Sequence, residues 1–159
     1  FMNTSNDLLE YPVVENFSPE VPVEIFGLAN NTKKVVAVVD TGFTGFLQIP
    51  LTVGIESNLS LWSVGSSRLA DGSVVKNLQC IGKIRFAGKE LIGIITLSEK
   101  GNDCLLGMQF LERLKMDFTV SPTKNRAIFK SIIPKDEEIA VKVETKNGKN
   151  EAKKTQKQG

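Results

Sequence analysis

Asp40, Thr41 and Gly42 end an apolar, β-branched run, Val35–Val39, and open onto a second short apolar stretch, "GFLQIP". A carboxylate at the end of a buried strand must be solvated, paired or put to use. Gly42 lets the backbone approach that carboxylate without a Cβ clash, and the Thr41 hydroxyl can donate to a neighbouring loop. The outcome is an acid held rigidly, able to take and give protons. A bare Asp-Thr-Gly also serves as an ordinary turn cap. Context therefore matters: an Asp71-Gly72 pair follows, and after it "CLLGMQFL".

Composition narrows the chemistry. The chain has no histidine, which excludes Ser-His-Asp and Cys-His nucleophilic systems and the HExxH zinc site. It carries neither a GxxxxGK[ST] phosphate loop nor a GxGxxG fingerprint. Proton transfer then falls to carboxylates, lysines or Tyr11. Two cysteines, Cys80 and Cys104, are too few for a disulfide framework and read as buried, reduced thiols.

The elements that must position Asp40 are mostly strands. "VPVEIFG" from Val21 alternates with Val21, Val23 and Ile25 on one face, and Pro22 marks it as an edge strand. The polar turn Asn30–Lys34 leads into a buried strand, Val35–Val39. Leu51 and Ile55 permit a turn or two of helix. "SRLADGSVVKNLQCIGKIRF" reads as a long hairpin with an exposed tip, its Asp71-Gly72 suited to a type I′ turn. A further hairpin turns at Ala87–Lys89. After Gly107, Phe110, Leu111 and Leu114 predict a short helix, with Met108 and Phe110 in the core. A strand near Met116–Val120, the turn "SPTKN" and a last strand "RAIFK" follow. Short strands with regular turn signals and one late helix predict a small, mainly β barrel or sandwich.

With 159 residues and 41% hydrophobic composition, a single core is expected. Residues 1–20 read as an N-terminal arm, with Phe1 a cloning remnant ahead of Met2. Residues 21–132 form the domain, and 133–159 a lysine-rich polar tail of disordered composition. Residues 142–159 alone carry six lysines against two glutamates, +4, which leaves the rest of the chain at −2 of the net +2. A basic groove for nucleic acid is not expected. With no signal-peptide pattern and no apolar run of the roughly 20 residues a membrane helix needs, the expectation is a soluble, cytoplasmic protein.

In their order, these motifs resemble the retropepsin-like aspartic proteases, the single-lobed branch of the pepsin clan, and within it a prokaryotic group with a DTGF motif. The resemblance runs from Val21 to Phe129. "VVDTGFTGF" looks like the catalytic strand and loop, "LADGSVV" like the flap, and Leu105–Gly107 with "MQFL" like the element and helix that brace the loop.

The resemblance implies a single-lobe acid-protease barrel, mainly β with one short C-terminal helix, acting as an aspartic endopeptidase on peptide or protein substrates. Each chain of a homodimer would supply one catalytic Asp40. Thr41 would hydrogen-bond across the dimer, Gly42 would orient the carboxylate, and Ala70, Asp71 and Gly72 would form the flap tip over the substrate. No metal or cofactor is implied. Phe43 stands where viral members carry a small residue, so its ring would narrow the cleft or fill the interface. Two other readings stay open: a non-catalytic peptide-binding or dimerisation module of the same fold, and a glycosidase pairing Asp40 with a glutamate of its own chain.

Overall fold

A computed structural model of the chain describes residues 8–13 and 17–132. The tail expected at 133–159 lies outside the described residues, as does the start of the N-terminal arm. Ten strands and two short helices follow one another: β1 (Leu8–Pro12), β2 (Glu20–Phe26), β3 (Thr32–Val39), β4 (Leu47–Pro50), α1 (Leu51–Glu56), β5 (Leu61–Arg68), β6 (Val74–Phe86), β7 (Lys89–Ser98), β8 (Cys104–Leu106), α2 (Met108–Leu114), β9 (Met116–Ser121) and β10 (Arg126–Ser131). The protein is mainly β, as its turn-punctuated pattern predicts.

Six strands close a barrel in the order β2-β3-β8-β4-β7-β6, with β6 returning to pair with β2. The closing seam is short, joining Glu24–Phe26 to Lys83–Arg85. Arg85 bridges it, holding Glu24 of β2 at 3.0 Å and Glu90 of β7 at 2.9 Å. Lys83 and Arg85 both lie over the Phe26 ring, at 4.5 and 4.8 Å from its centroid. Closure removes the free edges of these six strands and leaves β5, bonded to β6 alone, outside the ring.

Closure also corrects the reading of β2 as an edge strand. Its second half is paired on both sides, and Pro22 sits in the first half, which is bonded to β3 alone. Proline's missing N–H is tolerated there because no second neighbour needs it. Val21, Val23 and Ile25 are fully buried, as the alternation requires. β3 is not buried throughout: it alternates, with Ala37 and Val39 inside and Val36 59% exposed.

A second, three-stranded sheet, β1-β10-β9, packs against the barrel through aromatic side chains. Residues 8–12, assigned to the N-terminal arm by sequence, form the strand that pairs with Arg126–Lys130. Aromatic rings join the layers. Phe86 at the end of β6 meets Phe110 of α2 at 5.3 Å, Phe129 of β10 at 5.2 Å and Tyr11 of β1 at 5.7 Å between centroids. Phe86, Phe110 and Phe129 are all but fully buried, each contributing on the order of 1.5–3 kcal/mol through burial. Tyr11 is a core ring, and burial raises its phenol's pKa. Cys80 and Cys104 are free and buried, with pKa values pushed up by desolvation.

Phe110, Leu111 and Leu114 face the core from α2 as their spacing predicts. Met108, expected beside them, is 46% exposed. It is the first helical residue and turns outward, although Leu106 and Gly107 before it are buried. Among the described residues, no helix is long and apolar enough to cross a membrane.

Candidate active site

Asp40 is the first residue past β3. Its N–H donates to the Leu106 carbonyl at 2.9 Å, which extends the parallel β3–β8 pairing by one step. Its carboxylate is partly exposed. Oδ1 accepts the Gly42 N–H at 2.8 Å; Oδ2 has no hydrogen-bond partner among the described residues. The Asp40 carbonyl accepts the Phe43 N–H at 3.1 Å and closes the turn. The carboxylate is thereby fixed by its own loop on one side and open on the other.

The loop is clamped from behind by α2. The first amides of a helix lack partners within the helix, and here the loop supplies them. Met108 N–H donates to the Phe43 carbonyl at 2.8 Å, and Gln109 N–H to the Gly45 and Thr44 carbonyls at 3.1 and 3.3 Å. Gly107 N–H reaches the Phe46 carbonyl at 3.2 Å. These backbone bonds tie "CLLGMQFL" to the loop that carries Asp40. A Cβ on Gly107 would collide with the Phe43 and Gly45 carbonyl oxygens, so only glycine fits at this crossing.

Thr41 and Gly42 are exposed, and the Thr41 hydroxyl makes no hydrogen bond among the described residues. Phe43 is the residue whose position the sequence left open. Its ring lies over Gly45, whose added Cβ would fall 2.7 Å from Phe43 Cε2, and against Gly107, at 2.6 Å from Phe43 Cδ1. The ring packs on the loop's own backbone. Two glycines flanking an aromatic in the fold are the signal for such packing, but Gly107 is too distant in sequence for the pairing to be read.

Ala70, Asp71 and Gly72 form the exposed tip of the β5–β6 hairpin. The expected type I′ turn is not found. Only Gly72 has a positive φ, 84°. Leu69 N–H bonds to the Ser73 carbonyl at 2.8 Å and Gly72 N–H to the Leu69 carbonyl at 2.9 Å. The result is a three-residue loop ending in a left-handed glycine. Asp71 is claimed by Ser73, whose N–H and hydroxyl both donate to Oδ1, at 2.9 and 2.6 Å. Those bonds lower the Asp71 pKa. Among the described residues, no hydrogen bond or ion pair links the tip to the Asp40 loop. The hairpin exposes Leu61, Trp62, Val64, Leu69 and Val74, and β5 is bonded to β6 alone.

No protein-family model matches the chain, and no curated protein matches it.

Proposed function

We propose that the chain is an aspartic endopeptidase in which two copies pair and bring their Asp40 carboxylates together. The observation that carries this reading is the mounting of Asp40. One oxygen is held by the Gly42 amide, the other is open, and the loop is tied to β8 and α2 by backbone hydrogen bonds. The Gly42 bond alone is what a turn-capping aspartate makes, but a cap does not need its loop tied to β8 and α2. A general acid/base does, because orientation is what it contributes.

A two-fold axis beside the loop would place Asp40 opposite its mate. Two close carboxylates share a proton and titrate as a pair. The ionised member draws a proton from a water that attacks the scissile carbonyl, and the protonated member donates to the carbonyl oxygen. The chemistry needs no covalent intermediate. The exposed apolar residues of the β5–β6 hairpin support the same reading, since a strand left open at a sheet edge can cover an extended peptide.

A mixed peptide library incubated between about pH 4 and 7 tests this, the range a shared proton favours. Wild-type and Asp40→Asn proteins run side by side, with sedimentation reporting the dimer. Cleavage by wild type alone supports the mechanism. Equal silence from two folded dimers overturns it in favour of a peptide-binding module, and cleavage by a monomer overturns the paired site.

A further inference from the structure

We infer that Phe43 is a positioning residue for Asp40, an inference that rests on the aspartic-protease reading of the loop. Four relationships meet at this side chain and its backbone. Its N–H holds the Asp40 carbonyl at 3.1 Å, and its own carbonyl holds the Met108 N–H at the start of α2 at 2.8 Å. Its ring covers Gly45 and abuts Gly107, at the distances a Cβ on either glycine would find impassable. Phe43 is therefore the one loop residue whose backbone joins Asp40 to the helix and whose side chain fills the space between two glycines.

The physical consequence concerns freedom. Glycine samples more backbone conformations than any other residue, and the loop carries Gly42 and Gly45 within four residues and faces Gly107 across the crossing. The three atoms nearest a Cβ on Gly45 all belong to this ring. Without the ring, Gly45 would be held by its carbonyl's bond to the Gln109 N–H alone, and the loop would lose part of its hold on the direction of the Asp40 carboxylate. The ring thus acts within the loop, which distinguishes it from a residue that lines the substrate cleft.

The test uses Phe43→Ala, Phe43→Leu and Phe43→Tyr in the full chain, with circular dichroism confirming the fold. Two readouts are taken: kcat and KM on a peptide recovered from the library, and hydrogen exchange of the Gly42 amide that binds Asp40. Phe43→Ala is expected to lower kcat by about 100-fold, the scale of an ångström-level misplacement, with KM unchanged and Gly42 exchange accelerated. Phe43→Tyr, which keeps the ring, restores both, and Phe43→Leu falls between them, covering the case in which the alanine variant does not fold. An unchanged kcat, or a change in KM alone, overturns the inference and places the ring in the cleft. Should the wild type cleave nothing, the protease reading fails, and Gly42 exchange still decides the positioning: no acceleration in Phe43→Ala or Phe43→Leu overturns it.

Discussion

Gly107 crosses behind the catalytic-loop candidate so closely that its Cα hydrogen points at the Phe43 backbone, and a methyl group there would lie 2.6 Å from Phe43 Cδ1 and closer still to two carbonyl oxygens. Neither carbonyl can retreat, because both accept amides from α2. Gly107→Ala is expected to cost about 3 kcal/mol, the upper end for forcing extra volume into a tight site, measured by urea denaturation. Its effect should be local: the Met108 and Gln109 amides lose protection from hydrogen exchange before the barrel strands do.

At the other candidate element, Ser73 stabilises the ionised form of Asp71 through its hydroxyl and its N–H, holding the carboxyl below the ordinary aspartate value of 3.8. The sign follows directly. A depressed folded-state pKa adds stability above the unfolded value, and that stability is lost as pH falls through the folded value. Acidification therefore loosens the hairpin tip. In Ser73→Ala the hydroxyl bond is removed, so the Asp71 pKa, read by NMR titration, is expected to rise toward the ordinary value and stop short of it, because the backbone bond survives. No change at all would show that the hydroxyl is not the dominant donor.

Ser57 offers a test of the core. It is fully buried at the end of α1, and its Oγ has no hydrogen-bond partner among the described residues. An unsatisfied buried hydroxyl costs about 1–3 kcal/mol. Ser57→Ala removes that cost and leaves almost no void, so the variant is expected to be as stable as wild type or about 1 kcal/mol more stable in urea. A clear loss of stability would mean that the hydroxyl is paired.

The periodic and local features of this fold were legible in the sequence, and the long-range ones were not. Val21, Val23 and Ile25 alternate in the sequence and are buried together; Phe110, Leu111 and Leu114 recur with helical spacing and share a buried face. Pro22 marked an edge correctly for half of β2, but the pairing of Glu24–Phe26 with Lys83–Arg85 depends on barrel curvature, which no local pattern encodes. The Asp71-Gly72 hairpin was readable while its turn type was not, because Ser73 competes for the aspartate side chain. Around Asp40, the loop and its neighbour "CLLGMQFL" could be named in advance. That α2's unpaired amides are capped by the carbonyls of residues 43–45 could not, since this requires the helix and the loop to be docked first.

The β6–β7 turn carries a strain that one substitution should relieve. Phe86 pairs with Lys89, leaving Ala87 and Gly88 as a two-residue loop, and both have positive φ, 47° and 79°. That is the type I′ arrangement, in which Asn-Gly is strongly preferred. Gly88 adopts it freely. Ala87 has a Cβ, and the left-handed conformation costs an L-residue roughly 1–2 kcal/mol. Asparagine tolerates the same conformation better because its side chain can bond locally. Ala87 is exposed, so the change disturbs no packing. Ala87→Asn is expected to raise unfolding stability by about 1 kcal/mol, with the urea midpoint rising and its slope unchanged. Because this turn lies on a different hairpin from the 70–72 tip, the gain should appear without altering the Asp71 titration that Ser73 sets. A variant no more stable than wild type would show that Ala87 does not hold the left-handed conformation in solution.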